Sequence, residues 1–330
     1  MREASKPINC CAAIVESWRQ IPPASAEALE RARAAGFTIV RSDEVEGVGA
    51  LVVLRAPERM STRRALRRLR EADPTGVYDF DHIHLESGVA PAVIASGQVS
   101  AGRGPRIGLI DGGVGQNAAV VEQRAFSSER PVAGQHGAAV AHLLLQAAPG
   151  ARLYVADIYG GAPTGGSSAA LARALGWLAS ENMAIVNISL VGPHNRVIET
   201  VVSRISTRGV LIVAAVGNDG PAARPLYPAA YDGVIGVTGV DDNERVLIEA
   251  GRGPHVDFAA PGMQTQPRVR GTSFAAPIVA GLLATELAAP NQAAAQQAAA
   301  GLGERARDIG ARGRDDVSGG GQVAANRHAA

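Results

Sequence analysis

Residues 271–281 read Gly271-Thr272-Ser273-Phe274-Ala275-Ala276-Pro277-Ile278-Val279-Ala280-Gly281, a serine set among small residues at the head of an apolar helical run. Thr272 is expected to cap that helix, and Pro277 falls early enough for its missing N–H to cost little. Ser273 is then expected at a helix N-terminus, where orphan N–H groups and the positive end of the macrodipole favour an oxyanion forming beside the hydroxyl. A serine in such a place is by default only a cap. As a nucleophile it needs a base, and the base needs a group to orient it, so the stretch sets a demand on the rest of the chain.

Working outward, apolar runs at 106–110, 152–156, 184–190, 210–216 and 234–240 alternate with helical segments, which predicts a parallel sheet with helices on both faces. In such sheets functional groups gather at the carboxyl ends of the strands. Asp111 ends the first run, in Ile107-Gly108-Leu109-Ile110-Asp111-Gly112-Gly113-Val114-Gly115. Read alone it is a turn or capping aspartate, and its glycines lack the spacing of a dinucleotide-binding loop. His136 opens a helix in Gln135-His136-Gly137-Ala138-Ala139-Val140, while His142, farther along that helix, is not expected to be a partner. Asn218 follows another run, in Val213-Ala214-Ala215-Val216-Gly217-Asn218-Asp219-Gly220, where a turn asparagine is the plain alternative.

Taken together, the segments around Asp111, His136, Asn218 and Ser273 resemble those of the subtilisin-like serine proteases, in the family's order of aspartate, histidine and serine. The resemblance implies that Asp111 orients His136, that His136 takes and returns the proton of Ser273, and that Asn218 completes the oxyanion hole. It further implies that Ser189, Leu190, Val191 and Gly192 line the first specificity pocket, with residues 160–168 as the opposite wall and an extended peptide added between them as a strand. Gly112, Ala138 and Val191 depart from the family pattern. Val191 stands where glycine is usual, which predicts small or medium apolar residues at P1. A serine endopeptidase acting on polypeptides is the reading that follows, and a catalytically silent peptide-binding homologue is the alternative. A housekeeping α/β domain with a regulatory module would leave the motif matches unexplained. No cofactor is implied. Family members often carry structural calcium, for which the acidic turn Asp241-Asp242-Asn243 is the place to look, a solvated turn being the alternative.

The first hundred residues read differently. A strand over 12–18, a helix over 25–35 capped by Ser25 and stopped by Gly36, strands over 37–41 and 49–55, a helix from Ser61 and a strand over 77–85 give the order β-α-β-β-α-β. The expected fold is therefore an α/β subtilisin-like parallel sheet flanked by helices, preceded by a small α+β ferredoxin-like domain. By the same resemblance, residues 1–86 are a propeptide-like inhibitory and chaperone domain acting on its own chain, 87–105 a Gly-, Ala- and Ser-rich linker holding a processing site, and 106–330 the catalytic domain. His82 and His84 alternate on one strand, which predicts two half-exposed histidines on one face, able to make docking pH-sensitive.

Composition excludes other classes. In 330 residues the formal net charge is +1 and 46% are hydrophobic, against both disorder and an electrostatic nucleic-acid binder. The arginines at 63, 64, 67, 68 and 70 are balanced by acids over residues 1–100 and read as a solvated helix face. Cys10 and Cys11 are the only cysteines and, being adjacent, are not expected to bridge each other. The N-terminus is too polar for a signal peptide and no run suits a transmembrane helix, whereas the resemblance favours an extracellular or periplasmic protein.

Overall fold

The computed structural model describes residues 10–15, 26–45, 48–88, 102–162, 166–265 and 268–324. Ser25, residues 16–18 of the first expected strand and 89–101 of the expected linker lie outside them.

The N-terminal domain comprises β1 (Cys10–Val15), α1 (Ala26–Ala34), β2 (Thr38–Val45), β3 (Gly49–Arg55), α2 (Thr62–Ala72) and β4 (Val77–Phe80). Its antiparallel sheet runs β2-β3-β1-β4. The run Leu51-Val52-Val53-Leu54 in β3 is buried throughout because alternate residues face opposite ways and both faces are covered. Val52 and Leu54 pack with Ala65, Leu66 and Leu69 of α2, whose exposed side carries the arginines. Leu51 and Val53 join Val45 and Val48 in the core of the larger domain. Burial of each such aliphatic side chain contributes roughly 1.5–3 kcal/mol, so this face fastens the small domain to the large one. Ser61, where the sequence places the start of this helix, caps α2 by accepting from Arg64 N.

The expected strand over 77–85 divides in two. β4 belongs to the N-terminal sheet, the chain turns at Asp81 and His82, and β5 (Ile83–Glu86) leaves for the other domain. Two carboxylates pin that turn: Asp79 Oδ2 accepts from Arg196 N at 2.9 Å and Asp81 Oδ1 from Ala169 N at 2.8 Å. His82 consequently lies in the turn and His84 alone on the strand. His84 is 1% exposed, which corrects the half-exposed pair expected from the sequence.

The larger domain continues with β6 (Arg106–Asp111), β7 (Val120–Ala125), α3 (Gln135–Ala147), β8 (Arg152–Asp157), β9 (Gly166–Ser167), α4 (Ser168–Ser180), β10 (Ile185–Ile188), β11 (Leu190–Val191), α5 (Arg196–Thr207), β12 (Leu211–Ala215), β13 (Val234–Val240) and β14 (Phe258–Pro261). Seven of these strands form one parallel sheet, ordered β14-β13-β12-β10-β6-β8-β7. After a short hairpin, α6 (Ala276–Ala284) and α7 (Gln292–Arg305) complete the domain. Val186 and Ile188 of β10 face α4 and α5, while Ile185 faces the side covered by α3, α6 and α7. The sheet is thus buried on both faces, and its strands read as continuous apolar runs. The sequence reading lacks the two edges, β7 and β14. β7 is half polar and incompletely buried, and β14 is four residues ending in proline.

Candidate active site

Asp111 closes β6 at the carboxyl edge of the sheet and is fully buried. His136 is the second residue of α3, and its Nδ1 lies 3.0 Å from both carboxylate oxygens of Asp111. Gly137 permits this approach, since a Cβ there would run into the Gly112 carbonyl and lie 3.2 Å from Asp111 Oδ1. Burial by itself would depress the imidazole. The charge and hydrogen bonding of Asp111, with Glu86 beyond it, outweigh that burial and hold His136 above its ordinary value.

Ser273 sits in a short 3-10 turn, Thr272–Phe274, ahead of α6. Thr272 does not cap a helix as expected, because its Oγ1 accepts instead from Gly217 N at 3.1 Å and ties the turn to the end of β12. Pro277 falls in the first turn of α6, as expected. Two bonds lock Ser273 to Ser189: Ser273 Oγ donates to Ser189 O at 3.1 Å, and Ser189 Oγ donates to Ser273 O at 2.9 Å. His136 Nε2 is buried without a hydrogen-bond partner among the described residues. The Asp–His half of the constellation is therefore assembled, while the serine hydroxyl points to a carbonyl.

The remaining predicted residues gather around β5, which forms the middle of a three-stranded sheet between β11 and β9. Leu190 is opposite Glu86 and Val191 opposite Leu85, while Ile83 and His84 face Ser167 and Gly166 on the other edge. Gly192 lies against the His84 ring, which occupies the space a Cβ would take. At the end of β5, the Ser87 carbonyl oxygen accepts from Ser273 N at 3.1 Å. Asn218 stands beside the same residue, donating from Nδ2 to Ser87 Oγ at 2.8 Å and accepting at Oδ1 from Thr272 N at 3.0 Å. Residues 87 and 88, expected as free linker, are thus bound into the cleft; Ser87 is 3% exposed.

Sequence reading missed Glu86, Ser87, Tyr159 and Leu226, which belong to this site only through the fold. In the acidic turn Asp241 Oδ1 accepts from Asn243 N and Arg245 N, and its Oδ2 pairs with Arg245 at 2.9 Å, while Asp242 and Asn243 are exposed.

The family model described as "Subtilase family" matches residues 102–321. This chain belongs to the subtilase family. It is 35% identical over 150 residues to M-protease of Shouchella clausii (strain KSM-K16), covering 43% of this chain and 39% of that protein. It is 34% identical over 153 residues to Subtilisin Savinase of Lederbergia lenta, covering 46% and 54% respectively. The subtilase thus spans 39% and 54% of the lengths of these curated relatives. Among solved structures, fervidolysin from Fervidobacterium pennivorans, a keratinolytic enzyme related to subtilisin, superposes with a TM-score of 0.76 at 17% identity, covering 99% of this chain and 61% of that one. At that identity the likeness speaks for the fold. Among the described residues of this subtilase, no helix is long and apolar enough to cross a membrane.

Proposed function

We propose that this subtilase is a serine endopeptidase made as a precursor, that its N-terminal domain inhibits it by filling its cleft, and that the first bond it cuts is Ser87–Gly88. The observation that carries this reading is the Ser87 carbonyl on the Ser273 N–H at 3.1 Å, at the end of a strand paired on both sides. A carbonyl so held lies where the developing oxyanion needs a donor.

In the proposed reaction Ser273 Oγ leaves the Ser189 carbonyl and gives its proton to His136 Nε2 as it bonds the Ser87 carbonyl carbon. Ser273 N–H and Asn218 Nδ2, moving from Ser87 Oγ, hold the negative oxygen. Asp111 keeps the imidazole oriented and stabilises its cation. The C–N bond to Gly88 then breaks, and the Gly88 nitrogen takes the proton from His136. A water deprotonated by His136 cleaves the ester, leaving a carboxylate on Ser87 and restoring Ser273. No cofactor enters this scheme. Other polypeptides would enter by the same strand addition, whose main-chain bonds are indifferent to side-chain identity.

A second reading, a peptide-binding homologue without turnover, is favoured by one observation: Ser273 Oγ is bonded to Ser189 and not to His136. Incubating the full chain beside Ser273→Ala separates the two, read by intact mass and by hydrolysis of a chromogenic peptide. A fragment ending at Ser87 together with new peptidase activity, both absent from the variant, is expected. An unchanged mass and no hydrolysis, even after an added protease trims residues 89–101, would establish the silent binder.

A further inference from the structure

Glu86 has no part in the triad, yet the strand pairing delivers its side chain to it. One oxygen of Glu86, one of Asp111 and one ring nitrogen of His136 all lie within 4.8 Å of one another. No hydrogen bond engages the Glu86 carboxylate among the described residues, and Gly112, where a Cβ would lie 3.8 Å from Glu86 Oε1, offers it no side-chain donor. The elements packed around the imidazole supply few other charges. Asp111 comes from the end of β6 and Glu86 from β5. The turn before α6 contributes Ser273 and Phe274, whose ring centre lies 5.2 Å from that of His136. Tyr159, after β8, is buried, and desolvation with the two carboxylates raises its phenol well above the ordinary value, so it stays neutral. Among the described residues His136 therefore faces two carboxylates and no second cation.

We propose that Glu86 is a positioning residue that restrains self-cleavage: while β5 occupies the cleft, its carboxylate favours the imidazolium form of His136 and so withholds the base that Ser273 requires. Attack needs the neutral imidazole, so the docked precursor cuts itself slowly until the pH rises. The restraint departs with the segment that bears it, because removing β5 from the cleft removes Glu86, and His136 then answers to Asp111 alone. The same carboxylate steadies the imidazolium that forms during attack. Its effect is consequently a displaced pH profile, slower on the acid limb, where the base is withheld, and faster on the alkaline plateau, where the neutral base gains from the steadied imidazolium. The direction agrees with the His136 environment, where Glu86 adds to Asp111 in raising the imidazole. On Glu86 itself, partial desolvation and the like charge of Asp111 raise the carboxyl, and His136 opposes them.

The consequence for processing rests on the proposed self-cleavage, but the electrostatic claim can be measured without it. In the full chain carrying Ser273→Ala, the His136 ring is titrated by NMR, its resonance identified by its loss in His136→Gln, with and without Glu86→Gln. The midpoint is expected to fall by about one pH unit on Glu86→Gln, the scale on which a charge at ~4–6 Å moves a neighbour, and to be held by Glu86→Asp. In the chain with Ser273 intact, self-cleavage of Glu86→Gln is expected to be several-fold faster than that of the parent on the acid limb and slower than it in alkali, so that the two profiles cross. Coincident His136 titrations with and without Glu86→Gln would overturn the inference. If the parent cleaves nothing at any pH, the proposed self-cleavage fails, while the titration still decides the role of Glu86.

Discussion

Gly217, the residue before Asn218, lies against Val191 and Leu226. A Cβ there would meet Leu226 Cδ1 at 2.5 Å and Val191 Cγ1 at 3.4 Å. On its other side Gly217 N donates to Thr272 Oγ1, which is 3.3 Å from Ser87 Oγ. Two branched apolar side chains thus crowd Gly217, and the residue that the proposed cleavage would place at P1 is a serine. Val191 was legible in the sequence as a departure from the family pattern. Leu226 was not, because only the fold brings it beside Val191. Small P1 residues are therefore expected in a peptide library cut by the processed enzyme. Val191→Gly and Leu226→Gly should each raise kcat/KM for phenylalanine relative to alanine at P1, by about 10–200-fold, the range that small changes in an apolar pocket produce. A parent profile already led by phenylalanine or tyrosine would remove the argument, as would a profile unmoved by both substitutions.

Two helices of the larger domain have N-termini completed by the smaller one. Asn195 caps α5 through Val197 N and Ile198 N, and Ser167 caps α4 through Ala170 N; Asp79 takes the Arg196 amide of α5 and Asp81 the Ala169 amide of α4. A carboxylate here satisfies an orphan donor and meets the positive end of the helix dipole. Asp79→Ala and Asp81→Ala are each expected to weaken inhibition by the cleaved domain about 2- to 30-fold, the equivalent of the ~0.5–2 kcal/mol that a lost cap costs. Unchanged inhibition constants would mean that water replaces both carboxylates at no cost. These contacts also explain where sequence reading failed. The β-α-β-β-α-β order and the central strands were legible because each element carries its own period, cap and stop. The break between β4 and β5 was not, since residues 77–86 have one alternating pattern and only the amides of α4 and α5 bend it. The Thr272 cap was lost for a related reason: a long-range N–H, that of Gly217, took the hydroxyl first.

At the scale of the whole molecule, the small domain is held by an apolar sheet face, two capping carboxylates and one strand whose deepest side chain is His84. Its Nε2 lies 3.0 Å from Ser168 Oγ, its Nδ1 is buried without a partner among the described residues, and Asn195 Nδ2 links Ser168 to His82 Nδ1. Desolvation lowers His84 to about 4, with the neighbouring His82 adding to the effect. His82 is lowered in the same sense, again chiefly by desolvation. At His82 and His84 the docked state thus accepts neutral imidazoles and resists charged ones. A free domain with an ordinary His protonates from about pH 6.5 downward, so docking is fully stabilised above that value and weakens as pH falls toward about 4, where the bound imidazole also protonates and the loss levels off. Asp81, raised by burial, and Glu86 and His136, both raised in the docked state, work in the opposite sense and offset part of this loss. The dissociation constant of the cleaved domain is expected to rise on the order of 10²-fold between neutrality and ~pH 4, seen as release on size exclusion and as recovered peptidase activity after return to neutral pH. His84→Leu should remove most of that acid sensitivity, and a parent complex whose affinity is flat across the window would show that His84 does not govern release.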